Sequence, residues 1–82
     1  MVVAAAEGLH ARPAALFVKA ATETGLPVTV ARAAGQPVDA RSILSVLTLD
    51  VRHGDEVVLA ADGPDADAAL DRLAALLAGE HG

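Results

Sequence analysis

The chain contains no cysteine, tryptophan or tyrosine, and Phe17 is its one aromatic residue. Without thiols there are no disulfides and no thiolate metal sites, and the redox compartment stays open. Without aromatics the core has to be built from Val, Leu and Ile, with abundant alanines letting elements approach closely. An enclosed pocket for a large ligand, and hence a bound cofactor, is not expected. Positive charge is also scarce: six Lys and Arg stand against eleven Asp and Glu, for a formal net charge of −5. That balance argues against nucleic acid, which needs clustered basic side chains. No apolar run approaches the roughly 20 residues of a membrane span. The start Met1-Val2-Val3-Ala4-Ala5-Ala6 lacks a basic region and is cut short by Glu7 and Gly8, so a signal peptide is not expected. The three histidines, His10, His53 and His81, are scattered without ligand spacing, and no metal site is expected.

At 82 residues the expectation is one domain spanning 1–82, near the size where burial becomes marginal, with no room for a separate catalytic domain. No internal repeat, linker or low-complexity tract is visible. The acidity is uneven. Through Arg41 four basic residues face three acids, whereas beyond it Arg52 and Arg72 face eight. The half that holds His10 is thus the less acidic one, which suits a meeting with an anionic group or an acidic partner.

The pattern predicts a strand over Val2 to Ala6 and a helix from about Ala11 to Thr24, with Leu16, Phe17, Ala20, Ala21 and Thr24 as its apolar face and Gly25 as its stop. Pro27 to Arg32 reads as a strand, Ala33 to Gln36 as a turn, and Val38 to Ala40 as the hairpin partner. Ser42 opens a shorter helix with Ile43, Val46 and Leu47 on one face, ended by Leu49. After a turn at His53-Gly54-Asp55, Glu56 to Ala61 is a strand. Asp62-Gly63-Pro64-Asp65 leads into a third helix, with Pro64 at its first position and Ala66, Ala69, Leu70, Leu73 and Leu77 on one face; Gly79 closes it and 80–82 read as a frayed tail. This order gives an α+β layout, with all helices on one side of a mainly antiparallel sheet.

The chemically informative stretch is Gly8-Leu9-His10-Ala11-Arg12-Pro13-Ala14, which puts a lone histidine where a helix starts. Amides at a helix N-terminus point outward unpaired and add to the macrodipole, so an anion carried on a side chain there is stabilised. Arg12 can add a charge-assisted hydrogen bond, and Pro13 fits only a first turn. A helix N-terminus contributes about 0.3–1 kcal/mol to an exposed anion, and a hydrogen bond to a charged group about 1.5–3 kcal/mol. Those magnitudes suit a phosphoryl group held between encounters better than a tightly bound ligand. No second acid or base is fixed beside His10 by short-range spacing, so the pattern is unlike a hydrolase. The bland alternative, a histidine that merely caps its helix, is disfavoured because Ser, Thr, Asp and Asn are the preferred caps.

These seven residues, together with Arg41-Ser42-Ile43-Leu44 and Gly54-Asp55-Glu56-Val57, make the chain resemble, over nearly its whole length, the HPr family. HPr is the phosphocarrier of the bacterial phosphoenolpyruvate-dependent sugar phosphotransferase system. The resemblance implies an open-faced β-sandwich of four antiparallel strands covered by three helices (βαββαβα). It implies that His10 accepts phosphate from phosphorylated enzyme I and passes it to a sugar-specific enzyme IIA, as a cytoplasmic carrier, not an enzyme. Arg12 would steady the phosphoryl group. Ala11, Arg12 and Ala15 on the first helix, with Leu44, Ser45, Leu47 and Thr48 on the second, match positions that meet both enzymes. Leu44 also lies off the apolar stripe and so reads as an exposed anchor. The residue matching Ser42 is phosphorylated by a dedicated kinase in low-GC Gram-positive relatives; Ser42 also reads simply as a helix cap. Glu7 stands where the family more often has a neutral polar residue, and Arg41 and Ser45 occupy positions that vary and help set partner preference. Two other readings stay open: a specialised carrier serving nitrogen regulation or dihydroxyacetone kinase, and an interaction module without the relay. A small acidic domain that docks in turn on two enzymes is expected to be a monomer.

Overall fold

The computed structural model describes residues 1–79 and has the element order βαββαβα. Strands β1 (Val2–Ala4), β2 (Val28–Arg32), β3 (Val38–Asp39) and β4 (Glu56–Ala61) form one sheet in the order β1-β4-β2-β3, with every pair antiparallel. Helices α1 (Ala11–Glu23), α2 (Ile43–Thr48) and α3 (Ala66–Leu77) complete an open-faced sandwich. Period-two alternation sets the covered face of the sheet. Val28 and Val30 of β2 and Val57 and Leu59 of β4 are buried, and the register places Val30 opposite Leu59. Phe17, Ala20 and Ala21 of α1 and Leu73 and Leu77 of α3 close over them. No polar or charged side chain is buried among the described residues, so packing carries the core.

The expected elements are present with adjustments that have local causes. β1 ends at Ala4, because Ala5 leaves the ladder to bond the turn ahead of β4: its amide donates to the Asp55 carbonyl and its carbonyl accepts from the Gly54 amide. β2 begins at Val28, one residue after Pro27, which has no N–H to donate. The third helix starts at Ala66, two residues later than the Pro64 rule predicts. Asp65 is the N-cap, and the Gly63–Ala66 turn, closed by a hydrogen bond from the Ala66 amide to the Gly63 carbonyl, absorbs the proline. Leu16 belongs to the exposed side of α1, and Ala14 takes its place in the buried set. In α2 only Val46 is buried; Ile43 and Leu47 are exposed, because a six-residue helix has room for one inward contact over the end of the sheet. The predicted tail at 80–82 lies outside the described residues.

Surface ties reinforce this arrangement modestly. Arg72 of α3 bonds Glu23 of α1 at 2.8 Å, an exposed pair of the kind that contributes 0–1 kcal/mol at most. Truncating the one aromatic should be far more damaging. Phe17→Ala is expected to destabilise the fold by about 3–5 kcal/mol, read as a lowered urea midpoint with little change in slope.

Candidate functional site

Two loops meet at the start of α1, and their backbones set the position of His10. Leu9 is buried, and its amide donates to the Val51 carbonyl at 2.9 Å. Gly8 makes that approach feasible. Its φ is +76°, and an added Cβ would lie 2.8 Å from the Val51 carbonyl oxygen and 3.1 Å from Arg52 Cα. His10 is extended, with φ −127° and ψ 152°, so its side chain points opposite to that of Leu9: the leucine goes into the core and the imidazole out to solvent. The ring serves as N-cap in position only, because its side chain makes no cap hydrogen bond. It stays free for other chemistry, with half of its side-chain surface exposed (51%).

The first turn of α1 supplies the positive end of the helix. Ala11 has φ 49°, a left-handed conformation that costs an alanine roughly 1–2 kcal/mol. Among the described residues, nothing outside the helix accepts from the amides of Ala11, Arg12 or Ala14, and Pro13 has no N–H. These donors face the edge where the imidazole stands. Arg12 is exposed and lines a cleft of about 150 Å³ with Glu7, Leu16 and Leu76; among the described residues it forms no hydrogen bond or ion pair, with His10 or any other.

The other flank of the ring is built by residues that sequence spacing did not suggest. Asp50 Oδ1 lies 3.6 Å from His10 Nε2, within ion-pair range but beyond hydrogen-bond length. Asp50 also has a positive φ, 51°, which aspartate tolerates better than most side chains. Arg32 holds that backbone in place: its Nη1 donates to the carbonyls of Asp50 at 2.9 Å and Leu49 at 3.2 Å, and its Nη2 pairs with Asp55. Arg52 Nη2 bonds Asp50 Oδ2 at 3.0 Å. That hydrogen bond, with the charge of Arg52 behind it, holds the Asp50 carboxyl below the ordinary aspartate range. Any stability the pair supplies is therefore present above that range and lost as pH falls through the lowered value. Asp50 is forty residues from His10 in sequence, and neither spacing nor composition marks it.

The remaining expected residues belong to α1 and α2, which pack against each other. Ala11 and Ala15 of α1 and Leu44, Leu47 and Thr48 of α2 are exposed, with Leu44 the most open at 75%, while Ser45 is half-buried. Ser42 caps α2, its Oγ accepting from the Ser45 amide at 3.3 Å.

Comparison with known proteins agrees with this geometry. The family model for the phosphorylation site of the PTS HPr component matches residues 1–79. The chain belongs to the HPr family. The phosphocarrier protein HPr of Streptomyces coelicolor is 62% identical over 73 residues, covering 89% of this chain and 78% of that protein. The multiphosphoryl transfer protein of Vibrio cholerae is 43% identical over 68 residues, which cover 80% of this chain and 17% of that much longer protein. Among solved structures, an HPr from Thermoanaerobacter tengcongensis superposes with a TM-score of 0.90 at 34% identity, covering 98% of this chain and 91% of that one. The chain is thus a phosphocarrier of the HPr type, a component of the phosphotransferase system and not a catalyst. No helix among the described residues is long and apolar enough to cross a membrane.

The close approach at Gly8 gives a direct test of how this site is positioned. Gly8→Ala should lower stability by about 1–3 kcal/mol, because a methyl group meets backbone on both sides of the Val51–Arg52 peptide. It should also displace the His10 ring resonances in the NMR spectrum; unmoved resonances would mean that the loop contact does not set the histidine.

Proposed function

We propose that His10 is the phosphoryl acceptor, taking phosphate from phosphorylated enzyme I and passing it to a sugar-specific enzyme IIA. The observation that carries this reading is an exposed imidazole at the N-cap of α1 that caps nothing, beside amides without acceptors. The Nδ1 nitrogen is the acceptor atom in this reading, because an anionic phosphoryl group on Nε2 would stand against the Asp50 carboxylate. In the forward step a lone pair of the neutral ring forms the N–P bond while the bond from phosphorus to the donor breaks and its electrons stay with the donor. In the second step the N–P electrons return to the ring as phosphorus leaves for enzyme IIA. Once the phosphoryl group is on the ring, the helix N-terminus stabilises its negative charge.

Arg12 needs only a side-chain rotation from its exposed position to reach the phosphoryl oxygens, since nothing among the described residues holds it elsewhere. Leu44, Leu47, Thr48 and Ser45, with Ala11 and Ala15, form the face on which both enzymes dock in turn. The apolar, uncovered Leu44 is the anchor of that face. Ser42 acts in this reading as the cap of α2, and a phosphoryl group placed there by a kinase would alter the same docking face. The relay operates in the cytoplasm with the domain as a monomer. The Vibrio relative's name describes a protein that transfers phosphoryl groups, which is the chemistry proposed for His10.

Incubation with phosphoenolpyruvate and enzyme I should add one phosphoryl group per chain, stable to base and lost in acid, and His10→Ala should abolish it. An acid-stable label would point to Ser42, and no label at all would leave an interaction module without a relay. Arg12→Ala should keep the fold and slow transfer by about tenfold to a hundredfold, the equivalent of one hydrogen bond to a charged group. Unchanged rates would remove Arg12 from the site.

A further inference from the structure

We infer that Asp50 is a positioning residue for His10, its carboxylate favouring the ring proton on Nε2 and so presenting the Nδ1 lone pair to the phosphoryl donor. The inference deepens the assignment of His10 as acceptor and rests on it for its consequence in transfer, though not for the state of the ring itself. Three observations converge on Asp50. Its Oδ1 stands 3.6 Å from Nε2, on an exposed side chain. Its other carboxylate oxygen is fixed by Arg52 at 3.0 Å. Its backbone is held in the left-handed region, with φ 51°, by the Arg32 guanidinium bonded to the carbonyls of Asp50 and Leu49. A flexible surface acid needs none of this support.

The electrostatics of an imidazole give the arrangement its effect. A neutral ring carries one proton, on either nitrogen, and the nitrogen without it is the nucleophile. A carboxylate beside Nε2 favours the N–H there by simple charge attraction, which does not require the contact to shorten to a hydrogen bond. The same proton matters on the return step. If it stays on Nε2 while the N–P bond breaks, the leaving ring is a neutral imidazole and not an imidazolate. Arg52 and Arg32 offset part of the negative potential that Asp50 would otherwise direct at the phosphoryl group.

The test uses the whole chain and needs no partner protein. Asp50→Gly removes the carboxylate while favouring the left-handed backbone, and Asp50→Asn removes only the charge, so both are expected to fold. The tautomer ratio of His10, read from ring nitrogen shifts in mildly alkaline solution, should favour Nε2–H in the natural chain. It should fall about twofold to fivefold in Asp50→Gly, the size of effect an exposed charge pair gives, and by less in Asp50→Asn, which keeps an acceptor oxygen. Phosphorylation with phosphoramidate, in which the P–N bond breaks and ammonia leaves, should label mainly Nδ1 in the natural chain and lose part of that preference in Asp50→Gly. An unchanged tautomer ratio and an unchanged isomer ratio in both folded variants would overturn the inference. A moved ratio in a chain that enzyme I fails to phosphorylate would uphold Asp50 and overturn the relay instead.

Discussion

The hydrogen bond from the Leu9 amide to the Val51 carbonyl is the contact on which the rest of the site depends. It brings the start of α1 against the segment that links α2 to β4, and only a residue without a side chain at position 8 lets the two backbones come so close. The neighbouring contacts repeat the theme. Gly54 donates to the Ala5 carbonyl, the Ala5 amide donates to the Asp55 carbonyl, and the His53 ring bonds the Ala6 carbonyl, so hydrogen bonds join the two loops at four points. Once Leu9 is drawn into the core and the backbone at His10 is extended, the imidazole has one direction left, outward over the helix N-terminus. A fold whose interior holds no polar side chain among the described residues thus delivers this imidazole to the surface by burying the residue before it.

At that surface the ring stands between unlike neighbours. On one flank are amides without acceptors and the exposed Arg12; on the other is the carboxylate of Asp50, held by Arg52, on a backbone held by Arg32. An anion is welcome on the first flank and unwelcome on the second, and a proton has the opposite preference. None of these influences is large, since every charged group involved is exposed and screened. Weakness is consistent with a carrier: a phosphoryl group held by several modest attractions survives diffusion between proteins and is still released to the next one. A deep, desolvated pocket would hold it more firmly and slow its departure.

Much of this was legible in the sequence because the informative signals are local. The Gly8 to Ala14 motif put His10 at a helix start, Ser42 announced α2 as its cap, and the largely apolar run from Glu56 to Ala61 after the His53-Gly54-Asp55 turn defined β4 in full. The adjustments came where an element competes with its surroundings. Pro64 was drawn into a turn ahead of α3, and the apolar face assigned to α2 was broken because so short a helix reaches the core through Val46 alone. Leu16 looked like a core residue by composition and lies at the rim of a cleft. Asp50 was invisible for a different reason. Its partner is forty residues away, and only the meeting of two loops in three dimensions places a carboxylate beside the histidine; in the sequence it was one acid among many in an acidic half.

The most direct measurement is a comparison of amide NMR spectra before and after the chain is phosphorylated. If the phosphoryl group sits on His10 against the N-terminus of α1, the largest shifts fall on the amides of Ala11, Arg12 and Ala14, with smaller ones at Asp50 to Arg52, and the sheet stays unperturbed. Shifts centred elsewhere, or a first turn of α1 that does not respond, would contradict the account.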